Sequence, residues 1–180
     1  MDPAQYTPHF AYRAVKGAAG KARSRGQILH CEGVALSRIA DAAGTPTYVY
    51  SRASIEAAYR QLDRAFGSLP HTLCYAVKAN SNLSVLRVLA RLGSSFDVVS
   101  GGELDRLRRI GVPGSRIVFS GVGKTRDEIR DALRYPGARP PRRADAGRGG
   151  IMLFNLESGA ELDVLLGEAA RHGTVGGGRP

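Results

Sequence analysis

Four polar side chains of complementary chemistry stand behind four short apolar runs. Lys78 follows Thr72–Val77 (TLCYAV), Asp97 lies in FDVVSGGEL, Ser120 and Gly121 follow RIVF, and Asn155 and Glu157 flank the end of IMLF. A lysine directly behind a buried strand is partly desolvated, and a desolvated amine is a nucleophile that can condense with a carbonyl. Asp97, one strand over, comes near enough to interact with that lysine. Each residue also has a plainer reading. Lys78 could be a solvated lysine, Asp97 a turn or N-cap residue before Gly101–Gly102, and Ser120 and Asn155 helix caps. The four together at successive strand ends carry more weight than any one, because α/β folds keep their chemistry at the C-terminal ends of strands.

The elements that must position them alternate regularly. Strands are expected at 72–77, 96–99, 116–119 and 151–154, with helices over 83–92, 102–110, 125–133 and 158–171. In the first of these helices Leu83, Leu86, Leu89 and Ala90 share one face. This (βα)₄ pattern predicts a parallel sheet covered by helices. The chemistry-bearing positions are spaced by 19, 23 and 35 residues. The long third interval contains YPGARPPRRADAGRGG (135–150), which has no core-forming pattern and reads as an insertion. Ahead of the alternation, HFAY and QILHCEGVAL are β-like and flank a basic stretch, RAVKGAAGKARSRG (13–26), that reads as a loop. A short helix from Ser37 to Gly44, a buried strand TPTYVY (45–50), and a helix over 52–66 capped by Ser51 complete this region. A (β/α)₈ barrel takes roughly 250 residues, so four units predict a partial barrel preceded by a short β-containing segment. The expected divisions are 1–50, 51–171 and a flexible tail at 172–180.

Charge and composition narrow the function classes. Of the formal +10, about +4 each falls in residues 1–30 and 134–150, and the rest of the chain is nearly neutral. Their basic segments 13–25 and 139–148 lack interleaved aromatics, which argues against nucleic acid as a partner. Cys31 and Cys74 form no C-x-x-C, and Cys74 reads as a small core residue. His9, His30, His71 and His172 have no metal-ligand spacing. No apolar run approaches the ~20 residues of a membrane span, and MDPAQYTPHF is not a secretory leader. The expectation is a cytoplasmic protein. GVGKT (121–125) suggests a phosphate loop, but Val118 stands where that motif needs glycine.

The motifs YAVKANSNLSVL (75–86), FDVVSGGELDRL (96–107), IVFSGVGKTRDEI (117–129) and MLFNLESGAELDVL (152–165) resemble the barrel half of the alanine-racemase-fold pyridoxal phosphate decarboxylases, of the diaminopimelate decarboxylase type. HFAY, LHCEGVAL and GTPTYVYS resemble the segments that precede that barrel, and KANSN with VVSGGEL favours this type over ornithine decarboxylases. The resemblance implies that Lys78 holds pyridoxal 5'-phosphate through its amine, that Asp97 lies beside it in the cofactor site, and that Ala76 is a small residue near the ring. It implies decarboxylation of meso-diaminopimelate to L-lysine by a homodimer. The family's later histidine, glycine-rich phosphate cup, pyridine-nitrogen acid and C-terminal β domain have no recognisable counterpart. The expectation is therefore a shortened chain, inactive or weakly active alone. The alternatives are a non-catalytic or complementing cofactor-binding fragment and, from a different class, a basic nucleic-acid-binding protein.

Overall fold

The structure, a computed structural model, describes residues 9–16, 22–136 and 149–171. It divides into two compact units, Met1–Ala65 and Phe66–Pro180.

In the first unit, β1 (Phe10–Lys16), β2 (Ala22–Cys31) and β3 (Val34–Ala35) form an antiparallel sheet in that order. Phe10 pairs with Cys31, Tyr12 with Leu29 and Lys16 with Ala22. Residues 13–16 and 22–26 are therefore strand, which corrects the expected loop. Apolar periodicity gave no signal for them; the two strands are paired through cross-strand backbone hydrogen bonds, and residues 11–14 are exposed. The β2–β3 turn places Glu32 at φ 54°, a left-handed conformation that is costly without a glycine. Its carboxylate accepts from the Ser51 hydroxyl at 2.8 Å and the Ala53 amide at 2.9 Å. Arg13 donates to its carbonyl at 2.6 Å. α1 (Leu36–Ala43) ends at Gly44 (φ 78°). The strand expected over 45–50 is not formed: Tyr48 is 89% exposed and Tyr50 55% exposed. The run reads as β in composition, but among the described residues it has no strand to pair with. α2 (Arg52–Ala65) starts as expected, with the Ser54 amide donating to the Ser51 hydroxyl at 3.0 Å.

The second unit holds β4 (Cys74–Ala76), β5 (Ser95–Val98), β6 (Ile117–Phe119) and β7 (Leu153–Phe154), all parallel and ordered β4-β5-β6-β7. Between and after them run α3 (Leu83–Leu92), α4 (Gly101–Arg109), α5 (Arg126–Leu133) and α6 (Gly159–Arg171), each packed against the next. Strands in sequence order with a helix after each make one arc of a (β/α)₈ barrel, not a doubly wound sheet, whose order reverses. Phe96, Val98, Ile117 and Phe119 are fully buried together with Leu86, Leu104 and Leu107. Each contributes about 1.5–3 kcal/mol by leaving water. Because strand side chains alternate, Asp97 projects opposite to Phe96 and Val98.

Tyr135 corrects the expectation that the 135–150 segment contributes nothing to the core. Its side chain is fully buried, and its hydroxyl donates to the Val112 carbonyl at 3.1 Å. The Arg108 guanidinium sits 5.0 Å from the ring centre, and burial pushes the phenol up to about 12. Gly149 and Gly150 return beside it, with the Gly150 amide donating to the Tyr135 carbonyl at 2.8 Å. Residues 137–148, with most of the second basic stretch, and the tail 172–180 lie outside the described residues.

Candidate active site at the strand ends

β4 stops at Ala76, and a one-turn 3₁₀ helix over Val77–Ala79 follows. Val77 is fully buried while Lys78 is exposed, which corrects the expected partial desolvation. The reason is local. The turn begins one residue earlier than the apolar run suggests, and it carries Lys78 out of the strand. Among the described residues β4 is paired only on its β5 side, which also explains why Cys74 is exposed and not a core residue. The motif after Lys78 is shaped by its own side chains. Asn80 Oδ1 accepts from the Asn82 amide at 3.0 Å, and Asn82 Oδ1 caps α3 by accepting from the Ser84 amide at 2.9 Å.

Ala76 and Asp97 are register partners across β4 and β5. The plainer reading of Asp97 as an N-cap fails, because Ser100 caps α4 through the Glu103 amide. Asp97 Oδ1 instead accepts a short hydrogen bond from the Ser120 hydroxyl at the end of β6. Asn155, just beyond β7, donates from Nδ2 to Ser120 Oγ at 2.9 Å. Ser120 and Asn155 are thus not simple caps. Three strand ends are joined by one chain of hydrogen bonds, with the carboxylate as its final acceptor. Lys78 shows no hydrogen bond or ion pair to the chain, although it stands two residues beyond Asp97's register partner.

Two carboxylates brace the loops behind this chain. Glu128 caps α5 with Thr125, accepting from the Thr125 amide at 2.9 Å, and its other oxygen accepts from the Gly101 amide at 2.8 Å. These contacts, the Thr125 amide foremost, hold its carboxyl below the usual range. Glu161 accepts from the Glu157 amide at 2.9 Å and pairs with Lys124 at 3.0 Å. Its carboxyl is likewise lowered, first by the Glu157 amide and then by Lys124. Sequence reasoning treated GVGKT only as a failed phosphate loop and a helix start. The signal for Lys124 was a cation one residue ahead of a cap, too common to single out.

Among the described residues no cluster of His, Cys, Asp and Glu could hold a metal ion. No described helix is long and apolar enough to cross a membrane.

An exposed amine, a carboxylate and a hydroxyl stand at the C-terminal ends of β4, β5 and β6. Residues 52–137 match the family described as pyridoxal-dependent decarboxylase, pyridoxal binding domain. The chain is also similar to diaminopimelate decarboxylases. It is 54% identical over 145 residues to the diaminopimelate decarboxylase of Pseudomonas aeruginosa, covering 81% of this chain and 32% of the relative. The crystal structure of the Helicobacter pylori diaminopimelate decarboxylase complexed with L-lysine is 37% identical with a TM-score of 0.66, covering 77% of this chain and 32% of that one. The M. jannaschii enzyme in co-complex with L-lysine is 29% identical with a TM-score of 0.71, covering 93% and 34%. The chain spans about a third of the length of the relatives it matches.

Proposed function

We propose that this chain binds pyridoxal 5'-phosphate at the strand ends through Lys78 and serves the decarboxylation of meso-diaminopimelate to L-lysine. The observation that carries the reading is an exposed primary amine in the turn that ends β4, the strand paired in register with β5, whose Asp97 carboxylate is joined by hydrogen bonds to the ends of β6 and β7. This donor set fits the aldehyde end of the cofactor. Lys78 is open to an incoming aldehyde. Asp97 keeps one oxygen on Ser120 and presents a negative charge at the same sheet end. Ala76, small and half-buried, is the register partner of Asp97. When bound, the pyridine ring supplies a sink for the electron pair left as CO₂ departs. The similarity to enzymes of that name supports diaminopimelate as the substrate. From the resemblance of the sequence motifs to that family we further assign the chain to the cytoplasm and to a homodimer.

A second reading, in which the chain binds the cofactor and works with another polypeptide, is favoured by the outer edge of β7. Among the described residues that edge carries no strand, and Met152 and Leu153 beside it are 45% and 51% exposed.

Borohydride reduction of the chain mixed with pyridoxal phosphate, followed by peptide mapping, tests the binding step. A single adduct on Lys78, lost in Lys78→Ala, is expected; an adduct elsewhere would overturn the assignment. Release of CO₂ from meso-diaminopimelate by the chain alone then separates the first reading from the second.

A further inference from the structure

Lys124 is a buried cation with a full set of partners. Its side chain is 1% exposed, and its ammonium donates to the Gly121 carbonyl at 2.8 Å, the Asn155 carbonyl at 2.7 Å and Glu161 Oε1 at 3.0 Å. An ammonium has three N–H donors, so all are used, and none remains for a ligand. The partners lie on three different segments: the loop after β6, the residue after β7 and the first turn of α6. Lys124 and Glu161 also line a pocket of about 380 Å³ with Val122, Gly123, Ser158 and Val164.

The residue gripped from beneath is Asn155, which orders the chain above. An ionised carboxylate can only accept, and a hydroxyl has one proton. Ser120 must therefore spend its proton on Asp97, and Asn155 must present Nδ2, not Oδ1, to Ser120 Oγ. A displaced or flipped Asn155 would set its carbonyl oxygen against the hydroxyl and compete for that proton.

We propose that Lys124 is a positioning residue: through the Asn155 backbone it fixes the amide that aims the Ser120 hydroxyl at Asp97. The relevance to catalysis rests on the reading of the strand ends as a pyridoxal phosphate site; the positioning itself does not. Lys124→Met alone leaves Glu161 buried without its cation and can fail to fold, so the decisive variant is Lys124→Met with Glu161→Gln in the full chain. Backbone amide exchange in this variant is expected to rise about tenfold at Asn155 and Glu157. Amides of β5 should keep their wild-type protection. The yield of borohydride-fixed pyridoxal phosphate on Lys78 should fall to the level of Ser120→Ala, with no further loss when all three changes are combined. Unchanged exchange at Asn155 and Glu157, or effects that add in full, would overturn the proposal. If the wild-type chain fixes no pyridoxal phosphate, the reading of the site falls, and the exchange measurement alone decides for or against Lys124.

Discussion

Ser120 donates its hydroxyl to Asp97 across neighbouring strand ends, two residues 23 positions apart in sequence. The contact exists because β5 and β6 are parallel and in register, with Asp97 opposite Val118. Ser120→Ala removes the hydroxyl that donates to Asp97 Oδ1. We expect the yield of pyridoxal phosphate fixed on Lys78 to fall severalfold, while urea unfolding shifts by no more than about 1 kcal/mol. An unchanged yield would mean that Asp97 needs no partner.

Glu168 makes stability depend on acid. Fully buried on α6, it receives Arg130 at 2.9 Å, Arg126 at 3.1 Å and Arg171 at 2.7 Å. These partners, Arg130 first, hold its carboxyl down to about 2 from an ordinary 4.5. A carboxyl lowered on folding stabilises the native state above its unfolded value and loses that contribution as pH falls through the folded one. Stability should therefore decline from about pH 4.5 toward pH 2. In Glu168→Gln that part of the decline should vanish from a series of urea midpoints against pH.

Tyr135 separates packing from hydrogen bonding. Tyr135→Phe keeps the ring and strands the Val112 carbonyl, for an expected loss of about 1 kcal/mol. Tyr135→Ala empties a buried aromatic site and should cost about 3–5 kcal/mol. Equilibrium urea unfolding checks both, and a mild effect of the alanine variant would show that the return at Gly149–Gly150 holds without the ring.

Glu32 combines a strained backbone with a useful carboxylate. Glu32→Gly and Glu32→Ala both remove the acceptor for Ser51 and Ala53, but only glycine relieves φ 54°. Thermal melting should therefore rank wild type above Glu32→Gly, and Glu32→Ala lowest. A reversed order of the two variants would mean that the turn adapts to a side chain.

The alternation of the second unit was legible because its faces are buried. Leu83, Leu86 and Leu89 predicted α3 over the residues it occupies, and the strand ends fell within two residues of expectation. The first unit was less readable. β1 and the start of β2 pair through backbone atoms that carry no side-chain signature, while 45–50 has strand composition without a partner. At the site, residue types and strand ends were visible in the sequence, and the direction of hydrogen bonding was not. That Asp97 answers to Ser120 and not to its own helix depends on register and on Ser100 taking the cap. The exposure of Lys78 turned on where a three-residue strand stops.

The adjacency of Lys124 and Thr125 constrains the length of their loop more than its composition. One residue reaches down to Asn155 and Glu161, while the next caps α5 and shares Glu128 with Gly101. A single residue inserted between them would leave one of these attachments out of reach. Point changes at Val122, which is 82% exposed, should pass easily, whereas homologous chains that keep both attachments should show neither insertions nor deletions from Gly121 to Thr125.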